Sequence, residues 1–131
     1  MCFAVVLVAG AQAAGSRAPQ GPPFAFGGSA VHGPYIVTVA TDGSVRVTGS
    51  AGLMRIGVTR LDSARIAALN RLALNVRFAT LPAVTHCSVT SKATSWVRIG
   101  AKKVTVYGTC LSGYQRLLRA LRAAVRLTSS G

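Results

Sequence analysis

The residues in this chain that can do chemistry are few: His32, His86, the cysteines Cys2, Cys87 and Cys110, and only two carboxylates, Asp42 and Asp62. A Cys–His nucleophilic pair needs thiol and imidazole turned toward each other. His86 and Cys87 are chain neighbours, and in extended backbone neighbours point to opposite faces. Serine hydrolysis lacks both a G-x-S-x-G elbow and a carboxylate left over to orient a histidine. A structural zinc site calls for close C-x-x-C or H-x-x-x-H pairs, which the sequence does not contain. A metal held by His86, Cys87, Cys110 and His32 therefore stands behind a Cys87–Cys110 disulfide. Asp42 sits in an Asp-Gly turn and Asp62 at a helix start, so no carboxylate pair remains for glycosidase or aspartic-protease chemistry. Glycine-rich phosphate loops are also missing. The expectation is a protein with no catalytic residues, no metal and no cofactor.

Charge is the stronger signal. Fifteen Lys and Arg against two acids give a net charge of +13 on 131 residues, and 12 of the 15 are arginine. Such a field attracts anionic partners, whether a cell-surface polymer, lipid head groups, nucleic acid or an acidic protein. The plainer alternative is that the charge only keeps the protein soluble. Arg116, Arg119, Arg122 and Arg126 recur every three or four residues, flanking the apolar stripe of a C-terminal helix. They read either as an anion-binding ridge or as a solvated flank whose arginine stems cover the core edge. Nucleic acid is not favoured, because Trp96 and Tyr107 lie on separate strands and suit a core equally well.

These residues must be positioned by strands and helices that the periodicity marks out. Phe24-Ala25-Phe26 is a short strand leading into a glycine turn at Gly27-Gly28, and Tyr35 to Ala40 is a second strand. Asp42-Gly43 is a hairpin signal from which Val45 to Thr48 returns, and residues 54–59 suggest a further strand. Ile66, Leu69, Leu72, Ala73 and Val76 fall at helical spacing. Asp62 is the N-cap, Leu61 and Ile66 form a hydrophobic staple, and the helix stops near Arg77, ahead of Leu81-Pro82. Ser95–Ile99 and Val104–Tyr107 form a second hairpin around Gly100 to Lys103. Tyr114, Leu117, Leu118, Leu121 and Val125 then mark one face of the last helix. The fold class is α+β: an antiparallel sheet of four or more strands from two β-hairpins, with two α-helices packed on it.

At the N-terminus, the apolar run Phe3 to Ala9 precedes Ala11-Gln12-Ala13, an A-x-A cleavage pattern, with no basic residue before it. Residues 1–13 are therefore expected to be a signal peptide lacking its charged start. Residues 14–23 read as a flexible lead-in, and residues 24–131 as a single domain. The run is too short to span a bilayer, so no transmembrane segment is expected. Cleavage after Ala13 removes Cys2 and leaves an even pair, Cys87 and Cys110, in an oxidising compartment, which supports a secreted protein.

The order of motifs resembles the emfourin-like proteins, small inhibitors of thermolysin-like metallopeptidases. Phe26-Gly27-Gly28 with Gly33 beyond it, followed by a strand and an Asp-Gly hairpin, is similar to the opening of that family. Val76-Arg77-Phe78-Ala79-Thr80-Leu81-Pro82 looks like its helix-end signature, and the second hairpin and final helix follow in matching order from Phe24 to Leu127. The chain departs from the family in its signal-like start, its cysteine pair and its basic charge. The resemblance implies a non-enzymatic module that binds an extracellular protein, with Phe26, Gly27 and Gly28 as the candidate contact. Phe26 has two readings: an exposed anchor in a peptidase cleft, or a core residue of the first strand.

Overall fold

Side-chain alternation decides which face of each strand is buried. In the computed structural model, which describes residues 21–30, 33–49, 54–87 and 94–129, strand β1 (Phe24–Ala30) turns Phe24 and Phe26 inward. Strand β2 (Gly33–Val39) buries Tyr35, Val37 and Val39, and β3 (Val45–Gly49) buries Val45. Their antiparallel registers place Phe26 opposite Val37 and Val37 opposite Val47, so these inward side chains share one layer. The signal-peptide segment, most of the lead-in and His32 lie outside the described residues.

Between β2 and β3 the Asp42-Gly43 turn forms as expected. Asp42 accepts from the Ser44 backbone N–H at 3.0 Å and from its hydroxyl at 2.7 Å. Gly43 holds φ at 93°, which a side chain would oppose. Of the strand expected over 54–59, only β4 (Met54–Arg55) forms.

Helix α1 (Ser63–Asn75) begins at Asp62, whose carboxylate accepts from the Arg65 N–H at 2.8 Å, and it buries Ile66, Leu69 and Ala73. Arg77 adopts a left-handed conformation and a 3-10 turn follows at Phe78–Thr80, so the helix ends where the Leu-Pro signal put its limit.

The second half of the sheet holds one strand that periodicity did not reveal. Strand β5 (Val84–His86) is only three residues long and runs parallel to β7 (Lys102–Tyr107). Strand β6 (Thr94–Ile99) pairs antiparallel with β7, and Ile99 opposes Lys102. The connection is thus Gly100-Ala101 alone, and Lys102 and Lys103 belong to the strand. Because β1 pairs with both β2 and β6, the sheet order is β3-β2-β1-β6-β7-β5, antiparallel except at β5.

Helix α2 (Ser112–Val125) closes the core with Tyr114, Leu117, Leu118, Leu121, Ala124 and Val125. A two-residue strand β8 (Thr128–Ser129) then pairs with β4. All the inward strand residues and the apolar faces of both helices form a single cluster. The helices therefore lie on the same side of the sheet, and the fold is a two-layer α+β domain. Among the described residues, no helix is long and apolar enough to cross a membrane.

Cys87 and Cys110 are joined by a disulfide, with Cα atoms 5.6 Å apart. The bond ties the end of the short edge strand β5 to the loop entering α2. Closing a loop of this length stabilises a fold by about 3 kcal/mol in the chain-entropy model.

Candidate functional site

With both helices on one side, no described element covers the opposite face of the sheet. Its composition follows from the register. One row across five strands reads Arg46, Thr38, Ala25, Arg98 and Lys103. The next reads Thr48, Ile36, Gly27, Trp96, Thr105 and Val84, and a third pairs Thr94 with Tyr107 and Tyr107 with His86. Among the described residues, three of the four exposed large hydrophobic side chains stand here, with Ile36 at 44%, Val84 at 52% and Tyr107 at 39% exposure.

Trp96 and Tyr107 are thus outward residues, although alternation alone suited them equally to a core. Trp96 lies across Gly27: a Cβ on that glycine would come within 3.0 Å of the indole Nε1, and it would overlap the Tyr35 carbonyl oxygen on the neighbouring strand. Lys103 sets its ammonium 4.8 Å from the centre of the Trp96 ring, within cation–π range. His86 and Tyr107 stack on each other with centroids 4.5 Å apart and planes 2° from parallel.

The basic row carries the electrostatics. Strands lie about 4.8 Å apart, so Arg46 and Arg98 stand about 14 Å from each other along the row, with Lys103 one strand further on. Neither acid of the chain belongs to this face. Asp42 lies in the β2–β3 turn and Asp62 caps α1. A hollow of about 280 Å³ lies at the Pro23 and Gly100 end of this row, lined by Ala25, Thr38, Ala40 and Arg98 and not by Trp96.

Two other hollows are less suited to an anion. One of about 200 Å³ is lined by Arg60, Arg65 and Arg126, but Asp62 lines it too and Arg60 pairs with Asp42 at 3.8 Å. The other, about 390 Å³ beside Leu74 and Phe78, is apolar apart from Asn70 and Lys102, and the Lys102 ammonium is already bonded to the Leu81 carbonyl at 2.7 Å.

The residues singled out from the sequence are distributed unevenly. Arg116, Arg119 and Arg122 are exposed on α2 and Arg126 at its end, on the far side of the molecule from the open face. Arg122 donates to the Tyr35 hydroxyl at 3.1 Å, and Arg126 takes the left-handed position that ends the helix. Two of the four therefore have structural partners. Phe26 is 0% exposed, with Val37 and Val97 as its register partners, so its reading as an exposed anchor is overturned in favour of the core. Gly27 is buried beneath Trp96. Gly28 is half-buried, and a Cβ there would collide with the Thr94 carbonyl. The glycines serve close packing between strands rather than approach to a partner. The sulfurs that an alternative metal site would need are both in the disulfide.

Fold and surface together define a two-layer α+β domain whose sheet is covered on one face and open, basic and aromatic on the other. No family model, curated protein or solved structure matches the chain. The likeness to emfourin-like inhibitors rests on the order of short motifs.

Proposed function

We propose that this protein is a secreted, non-enzymatic binding module that takes an anionic cell-surface polymer on the open face of its sheet. The observation that carries this reading is the row of Arg46, Arg98 and Lys103, which crosses five strands on a face without a carboxylate. Protein surfaces normally intersperse both signs, so a row of one sign beside exposed aromatic groups favours an extended anion. Secretion is supported by the disulfide, since such bonds persist in oxidising compartments, and by the A-x-A pattern after the apolar N-terminal run. The peptidase-inhibitor reading retains the motif order but has lost its anchor, because Phe26 belongs to the core.

The test compares two triple variants for binding to an immobilised acidic polymer. Replacing Arg46, Arg98 and Lys103 by glutamine is expected to weaken binding strongly. Replacing Arg116, Arg119 and Arg122 is expected to weaken it little. Wild-type affinity should fall between about 0.01 and 0.15 M salt, as the screening length shrinks from about 30 to 8 Å. Loss confined to the helix triple would move the site to α2. Binding that ignores both triples and the salt would end the reading.

A further inference from the structure

We propose that the polymer is a glycan of acidic sugars, and that one uronate residue sets its ring against Trp96 with its carboxylate toward Arg98. This inference rests on the anionic-polymer reading and adds the chemical class of the repeating unit. Trp96 and Arg98 are two residues apart on β6 and face the same way, so their Cα atoms lie about 7 Å apart. A pyranose against the indole can therefore direct its carboxylate toward Arg98, whose planar fork suits a carboxylate in bidentate contact.

Three features favour a sugar over a nucleotide. Binding single strands of nucleic acid calls for successive aromatic platforms. Here His86 and Tyr107 each use one ring face on the other, and no base fits between planes with centroids 4.5 Å apart. Trp96, the remaining aromatic ring of this face among the described residues, already draws the Lys103 ammonium, which would bring a carboxylate to it. The surrounding groups are hydroxyls, from Thr38, Thr48 and Thr105, set among aliphatic side chains. A threonine hydroxyl both donates and accepts, as sugar hydroxyls do, whereas a phosphodiester only accepts. The axial C–H groups of a pyranose also complement the electron-rich indole face.

Trp96 is the only tryptophan in the chain, so its fluorescence reports on the site directly. Four probes separate the outcomes: polygalacturonate, its methyl ester, polyphosphate and poly(dT). Polygalacturonate is expected to bind and change the Trp96 emission, and the methyl ester, with the same rings and no charge, to bind far more weakly. Trp96→Leu should weaken polygalacturonate about tenfold while leaving polyphosphate unchanged. A melt of each variant confirms folding. Equal binding of polyphosphate and polygalacturonate, insensitive to Trp96→Leu, would refute the glycan inference while sparing the polymer reading. Poly(dT) binding more tightly with quenching of Trp96 would refute it in favour of nucleic acid. No binding to any charged probe would remove the polymer reading itself.

Discussion

Gly27→Ala tests the packing that creates the open face. Gly27 lies in the central strand, between β2 and β6, at a point where backbone and indole both approach its Cα. A methyl group there would overlap the Tyr35 carbonyl oxygen and come to 3.0 and 3.1 Å from the Trp96 Nε1 and Cε2 atoms. The indole is the far end of a side chain and can swing away. The carbonyl belongs to the paired strand and cannot move without disturbing the β1–β2 ladder. Weakening one or two ladder bonds costs about 1 kcal/mol each, and a displaced Trp96 gives up part of its contact with the strand below. The sum, about 2–3 kcal/mol, lies within the usual range for inserting a methyl into tightly packed structure. At about 4 °C per kcal/mol for a domain of this size, the melting temperature should fall by about 10 °C. The emission of the single tryptophan should shift to the red in the native state, because the indole is lifted toward water. A variant that melts like wild type, with unchanged emission, would refute the placement of Trp96 over Gly27 and with it the geometry of the proposed sugar platform.

Tyr114→Phe removes the buried hydrogen bond between the Tyr114 and Ser95 hydroxyls, 2.9 Å long, and should cost about 1–2 kcal/mol because the serine is left unsatisfied. Burial raises the Tyr114 phenol above its ordinary value of 10.0, against the lowering effects of the Ser95 bond and Arg122. The unfolded chain therefore loses this proton first, so the contribution is intact below about pH 10 and is lost as pH rises through the folded-state pKa. Denaturant titrations at alkaline pH should show that component of the slope in wild type and not in Tyr114→Phe, and identical slopes would contradict the assignment. Replacing Cys87 and Cys110 by serine should cost about 3 kcal/mol, read as a lower denaturant midpoint. A reductant should produce a similar loss in wild type, and free thiols at both positions in non-reducing peptide mass spectrometry would overturn the link.

The helices and hairpins were legible because each rests on local chemistry. Asp62 caps α1, Asp42-Gly43 closes the first turn, and the stripe from Tyr114 to Val125 faces the core, since each signal involves residues close in sequence. Strand β5 was not legible. Three residues are too few to display a period, and a parallel partner about twenty positions away leaves no turn signal. Once the disulfide is in place the strand is easier to understand, because its last residue adjoins Cys87 and the crosslink holds it at the sheet edge. Gly27-Gly28 was the opposite case, a local signal with the wrong meaning. A glycine pair after a short strand reads as a turn, yet here it continues β1, because the crowding it relieves comes from β2 and β6.

The open face was hidden for a related reason. Alternation along β6 sorts Trp96 and Arg98 onto one face and Ser95 and Val97 onto the other, but it does not say which face the helices will cover. The aromatic residue is the natural choice for the core on hydrophobicity alone. The buried face is settled instead by the other strands, through Phe24 and Phe26 on β1 and the valines of β2, β3 and β7, whose register with Val97 leaves Trp96 on the opposite side. Trp96 is then stabilised outside the core by the slot over Gly27 and by Lys103. Its place beside Arg98 and Lys103 is the arrangement on which the proposed binding of an acidic polymer rests.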